Sequence, residues 1–261
     1  MPLSKIISIG TCRVLQLFDP KSNNTNLRSI HFTNYANIGG KNFIGFTNTP
    51  AQAKFFIKSI MDSTFSVNRE NMPYLKHLYG ILSQPELLHD YVKGTGVSYD
   101  INRNLAQLRS EIMDISCFVI EICSLKKIYF KCNGIPIMYD LYRIRPELHC
   151  EKYENLNYHQ LKQEVISLIE FIQDKFPNKG IILVGHIVKS NKNPETFDET
   201  IPERKIILDV LKVVCKQFVK CRYLNPNDHI TNDDLEDNRH YRLSGRIKII
   251  HALQKLVDQL N

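Results

Sequence analysis

The sequence predicts an α/β protein with a mostly parallel central sheet, on three observations. Short apolar runs recur along the chain, Ile6-Ile7-Ser8-Ile9 and Ile181-Ile182-Leu183-Val184 being the cleanest, and such runs read as buried strands. Between them lie longer segments whose apolar residues repeat at helical spacing, so strand and helix alternate as in βα units. The 261 residues contain no internal repeat and no linker, which argues for a single domain, 1–261.

Taken in order, strands are expected at 6–9, 30–33, 117–122, 128–130, 181–184 and 218–224. Helices are expected at 50–61, 104–113, 159–176, 202–217 and 240–260. Thr49-Pro50 supplies an N-cap followed by proline at the first helical position, and Ile201-Pro202-Glu203 opens a later helix similarly. Asn178-Lys179-Gly180 ends the long helix with a glycine suited to a left-handed turn. Three stretches interrupt the alternation. Residues 21–26 read as a polar surface loop or bulge, and 70–99 as a helical stretch covering the site. Residues 135–157, rich in Tyr and Arg and without a period, read as an insertion or lid.

A hydrophobic content of 43% and a charged content of 23% are those of an ordinary globular chain, able to bury a core without disulfides. The net charge of +7 is dispersed rather than gathered into basic runs with interleaved aromatics. It suits an anionic ligand better than a nucleic acid. Seven cysteines, an odd number at irregular spacing, argue against a disulfide framework. No zinc-finger spacing occurs, and Cys215, Cys221 and His229 read as buried thiols and a loop histidine rather than ligands, so no metal is expected. With no signal-peptide pattern and no apolar stretch long enough to span a bilayer, the expected location is cytoplasmic.

Two clusters carry candidate chemistry. Gly10-Thr11-Cys12-Arg13 follows the first strand, at the edge where α/β proteins place their sites. There a thiol gains from helix amides and a nearby arginine, which lower its pKa, and backbone N–H groups are presented to an oxyanion. Arg13 either assists the thiol or binds an anionic group; alternatively, Cys12 is a small residue closing the strand. Asp237-Asn238-Arg239-His240 opens the apolar C-terminal helix, a spacing that lets Asp237 hold the His240 imidazole in one tautomer. A helix-capping Asp is the plainer use of the same residue. His186 follows a clean buried strand and is a candidate oxyanion donor or substrate contact. Gly39, Gly40, Gly45, Thr47, Asn48 and Thr49 precede the helix expected at 50–61, whose amide end suits a phosphate or carbonyl oxygen. None of these glycines forms a nucleotide-cradling motif.

Together, the strand–Gly-x-nucleophile opening and the late Asp-x-x-His resemble the SGNH hydrolase superfamily. In that superfamily a G-D-S block supplies the nucleophile and a C-terminal D-x-x-H block the rest of the triad. Gly10-Thr11-Cys12 places Cys in the serine position, which is closer to the GSCFA-type and WcbI-like polysaccharide-biosynthesis acetyltransferases. The family's G-x-N-D block is absent as such; Gly185-His186 stands near where it would fall.

The resemblance implies a flavodoxin-like three-layer α/β/α sandwich with its site at the strand C-termini. It also implies Cys12 as nucleophile, His240 as base, Asp237 as orienting residue, and Gly39, Gly40 or Gly45 as the oxyanion glycine. The implied reaction is transfer of an acyl group, acetyl first, from a donor such as acetyl-CoA to a sugar or glycan precursor, with no tightly bound cofactor. A carbohydrate esterase, or a non-catalytic glycan- or partner-binding member of the fold, is the alternative.

Overall fold

The computed structural model describes residues 3–19, 21–30, 47–66, 101–130, 136–137, 150–188, 201–237 and 239–260. In chain order these contain β1 (Ser4–Ile9), α1 (Cys12–Leu15), β2 (Leu27–Ser29), α2 (Pro50–Met61), α3 (Ile101–Glu111) and β3 (Cys117–Glu121). There follow β4 (Lys126–Phe130), β5 (Pro136–Ile137), β6 (Cys150–Asn155), α4 (Tyr158–Lys175), β7 (Gly180–Val184), α5 (Ile201–Cys215), β8 (Cys221–Leu224) and α6 (Leu243–Asp258). Five strands pair in the order β2-β1-β3-β7-β8, and every pairing is parallel.

Helices cover both faces of this sheet, a three-layer α/β/α sandwich. Ile7, Ile9, Phe118, Ile120, Ile181 and Leu183 pack with α2, α3, α4 and α5. Ile6, Cys117, Val119, Ile182 and Val184 alternate with them onto the other face, against α6 and the short turn after β1. Burial on both faces is why these strands read as unbroken apolar runs rather than alternating ones.

Each long helix turns one stripe inward. In α2 the stripe is Ala53, Phe56, Ile57 and Ile60, the i, i+3, i+4, i+7 spacing of one helix face. Fully burying Phe56 alone contributes about 2–3 kcal/mol. Thr49 caps the helix in a reciprocal capping box with Gln52, and Pro50 occupies the first turn, as expected. A second box, Asn157 with Gln160, starts α4.

Several expectations shift. The segment expected at 128–130 joins β5 and β6 in a separate three-stranded antiparallel sheet, so 135–157 contributes strands where it was expected to be aperiodic. The second strand occupies Leu27–Ser29 instead of 30–33, of which 31–33 lie outside the described residues. Residues 70–99 lie outside them too. Gly180 does not make a left-handed turn: α4 ends at Lys175, Phe176 caps it, and Gly180 is the first residue of β7. Space is tight at Gly180: a Cβ would lie 2.8 Å from the movable Leu260 Cδ1 and 3.2 Å from Cys117 Cβ. Among the described residues no helix is long and apolar enough to cross a membrane.

The last helix also starts later than expected, at Leu243 rather than residue 240. The chain before it doubles back: Leu235 bridges Tyr241, Glu236 N–H donates to the His240 carbonyl, and Arg242 N–H donates to that of Asp234. Asp237 Oδ1 accepts the Arg239 and His240 amides at 2.6 and 2.7 Å. This local side-chain bonding competes with helix and holds a turn instead.

Candidate active site

In the sheet order, β1 lies between β2 and β3, so successive connections leave it in opposite directions. That reversal opens a crevice at the carboxyl ends of β1 and β3, the position where open α/β sheets bind ligands. Gly10 occupies it with φ +153°, a conformation that favours glycine. A Cβ at Gly10 would fall 2.6 Å from Glu121 Cβ and 2.7 Å from Val14 Cγ1.

Glu121, the last residue of β3, is buried at the centre of this junction. Its Oε2 accepts from Thr11 N (2.8 Å) and Thr11 Oγ1 (2.5 Å), and its Oε1 accepts from Arg13 Nε at 2.6 Å. Arg13 is buried as well. Desolvation opposes its charge, but the facing Glu121 carboxylate overcomes this and holds the guanidinium above its ordinary range. Arg13 Nη1 reaches across to donate to the Arg239 carbonyl at 3.3 Å.

Arg239 precedes His240, whose Nδ1–H donates to Asp237 Oδ2 at 2.8 Å. Burial would raise the Asp237 pKa, but the bonds from His240 and from the Arg239 and His240 amides lower it below the ordinary carboxylate value. The pair is open to solvent, with relative exposures of 42% for His240 and 53% for Asp237. The turn that carries it is anchored to α6, because Asp234 accepts from Lys248 Nζ at 2.7 Å and Gly245 packs on the Asp234 carbonyl.

The other expected residues fall as follows. Cys12 is the first residue of α1; its side chain lies outside the described positions, as do Gly39, Gly40 and Gly45. Because α1 is a single turn, it offers little of the helix dipole expected to act on the thiol. The Thr11 amide is taken by Glu121 and is not an oxyanion donor. Arg13, expected either to assist the thiol or to bind an anionic group, donates to the Glu121 carboxylate and to the Arg239 carbonyl.

Thr47 N–H donates to the Gly10 carbonyl at 3.0 Å, while the Asn48 carbonyl accepts the Cys123 and Ser124 amides. Asn48 N–H and Thr49 N–H both donate to Gln52 Oε1. These main-chain groups therefore brace the crevice and cap α2. Thr47 Oγ1 is buried without a hydrogen-bond partner among the described residues.

His186 is buried, and its Nδ1–H donates to the Ile187 carbonyl at 2.9 Å. Burial first, then the charges of Arg13 and Arg204, lower its pKa well below 6.5. The ring is thus neutral with its one proton already committed, so it has none to give an oxyanion. The strand beside β1 is β3, not β7, so the loop adjoining the Cys12 turn follows Glu121 and not Gly185-His186. Sequence reading missed Glu121. Its signal was a carboxylate closing Cys117-Phe118-Val119-Ile120, by the same edge rule that picked out Cys12 and His186.

No family model and no curated protein matches the chain. Among solved structures, it is similar to a carbohydrate esterase family 2 enzyme with a carbohydrate binding domain from Corynascus thermopiles (Myceliophthora fergusii). The TM-score is 0.45 at 10% identity, over 99% of this chain and 67% of that one. It is also similar to an alpha/beta hydrolase enzyme from the metagenome of Lake Arreo (TM-score 0.40, 14% identity, 100% and 97% covered). A third is an acetyl xylan esterase from the rumen bacterium Butyrivibrio proteoclasticus (TM-score 0.38, 10% identity, 99% and 64% covered).

Proposed function

We propose that the chain is an acyl-transfer enzyme of SGNH-like design, moving an acetyl group onto a sugar or glycan precursor through an acyl-cysteine. The observation that carries this reading is the Arg13–Arg239 contact, which ties the residue after Cys12 to the residue before His240. The contact supports the reading by joining two segments more than 220 positions apart in the sequence.

In this reading Asp237 fixes the His240 tautomer with the proton on Nδ1, leaving Nε2 as the base. His240 takes the Cys12 thiol proton as the sulfur adds to the thioester carbonyl of acetyl-CoA. The donor's thiolate leaves and regains that proton, giving acetyl-Cys12 and a neutral imidazole. An acceptor hydroxyl then loses its proton to His240 and attacks, and Cys12 departs as the thiol. If water is the acceptor, the same steps make a carbohydrate esterase. Glu121 and Arg13 act as positioning residues on both sides of the nucleophile.

Intact-mass analysis after incubation with acetyl-CoA tests this. The wild type is expected to gain one acetyl group, Cys12→Ala none, and His240→Ala the same adduct at a rate lower by about 10²–10⁴-fold. An adduct that persists in Cys12→Ala would remove Cys12 from the chemistry. A wild type that stays unmodified by acetyl-CoA and by an activated acetyl ester would leave the fold as a binding module.

A further inference from the structure

On the side of the sheet that carries α5, at the edge away from β1, Cys215 ends α5 and Cys221 begins β8. Their sulfurs lie 3.2 Å apart, both thiols are free, and both residues are buried. A cavity of about 360 Å³ opens directly onto them, lined by Cys215, Cys221, Phe218, Lys212, Lys216 and Arg222. Five residues separate the cysteines, so linking them closes a short loop between two elements already packed together. The cavity gives a small oxidant access, and its cationic side chains favour the anion that must form.

We propose that Cys215 and Cys221 form a reversible thiol–disulfide site oxidised by hydrogen peroxide. The two sulfurs are in a contact in which either can donate, and the Cys215 sulfur also lies 3.3 Å from the Arg222 carbonyl; the contact with Cys221, then burial, holds the Cys215 thiol above the ordinary range. In this site Cys221 is the attacking sulfur and Cys215, 3.2 Å away, the resolving one. The Cys221 thiolate attacks one peroxide oxygen; the O–O bond breaks, hydroxide leaves, and a sulfenic acid remains. The Cys215 sulfur then attacks the Cys221 sulfur, the S–O bond breaks, and the second oxygen leaves as water. Both sulfurs are oxidised, peroxide is reduced to two waters, and the two thiol protons are accounted for in them.

The full chain is treated with hydrogen peroxide, capped with an alkylating agent and digested with trypsin. Trypsin cuts after Lys212, Lys216, Lys220 and Arg222, so the linked pair is Val213-Val214-Cys215-Lys216 joined to Cys221-Arg222. The expected result is this linked pair at about 10-fold or more over any other cysteine pairing, with an intact-mass loss of about 2 Da. Dithiothreitol is expected to reverse it, and the far-ultraviolet circular dichroism to stay unchanged. Cys221→Ala is expected to lose the mass change. Recovery of both peptides unlinked while other cysteines oxidise would overturn the proposal. So would linkage that forms only in urea.

Discussion

Arg13 Nη1 donates to the main-chain carbonyl of Arg239 at 3.3 Å, while the Nε of the same guanidinium is held by Glu121 at 2.6 Å. One side chain thus joins three segments: the turn leaving β1, the carboxyl end of β3, and the loop ahead of α6. The charge is matched where it is buried and the hydrogen bonds are shared out, the conditions under which a buried ion pair is tolerated. Cys12 and His240 each sit one residue from a member of this link.

Glu121→Gln should therefore be costly. It leaves the Arg13 charge buried without its partner and sets an amide against donors from Thr11 and Arg13. Breaking one side of a buried ion pair typically costs about 3–5 kcal/mol. Urea unfolding of the two proteins should show a fall of that order in unfolding free energy. A change below about 1 kcal/mol would mean that the pair is solvated and does not hold the crevice.

The sheet was legible because burial on both faces leaves an unmistakable pattern in runs such as Ile181-Ile182-Leu183-Val184. Helix α2 was legible from its cap, since Thr49-Pro50 and Gln52 state the start locally. The antiparallel β4–β6 sheet was not. Its strands, Lys126–Phe130 and Cys150–Asn155, interleave Lys, Glu and Tyr and carry no apolar run that a periodicity could report. The late start of α6 also escaped notice, because an Asp three residues before a His fits a cap and a turn equally well. At the site, the Asp237–His240 pair was readable from spacing. The Arg13–Glu121 pair was not, because its partners are 108 residues apart and only the fold brings them together.

Asp237→Asn tests the tautomer argument separately from the fold. The amide keeps an oxygen for the Arg239 and His240 main-chain groups, but its NH₂ can face Nδ1 only if the imidazole proton moves to Nε2. His240 then has no lone pair toward the nucleophile. Single-turnover acetylation of Cys12 at pH 7 is expected to slow by about 10²–10⁴-fold, with thermal stability nearly unchanged because both groups are exposed. Equal rates in variant and wild type would show that Asp237 only shapes the turn.

His186 gives a pH prediction with a definite sign. Its folded pKa is depressed well below 6.5, by burial and by the arginines beside it. Below pH 6.5 the unfolded chain therefore binds a proton that the native state refuses. Its contribution to stability is complete above that value and is lost as pH falls toward the folded pKa, by up to about 1.4 kcal/mol per pH unit. Urea midpoints between pH 7.5 and 5.5 should fall in the wild type and fall less in His186→Gln. The His186 ring signals should hold at their neutral position through that range by NMR, and a midpoint near pH 6.5 would refute the assignment.

Thr47 supplies the last prediction, because its hydroxyl is buried without a partner among the described residues while its amide holds the Gly10 carbonyl. An unsatisfied buried hydroxyl costs about 1–3 kcal/mol, and valine has nearly the same shape without that group. Thr47→Val should therefore raise the unfolding free energy by about 1 kcal/mol, read from denaturant midpoints at constant slope. If the hydroxyl instead waits for substrate, the same variant will be stabilised yet acetylate Cys12 more slowly, because the bound acyl group loses a donor. A variant that is destabilised by more than about 1 kcal/mol would show that the oxygen has a partner in the folded chain.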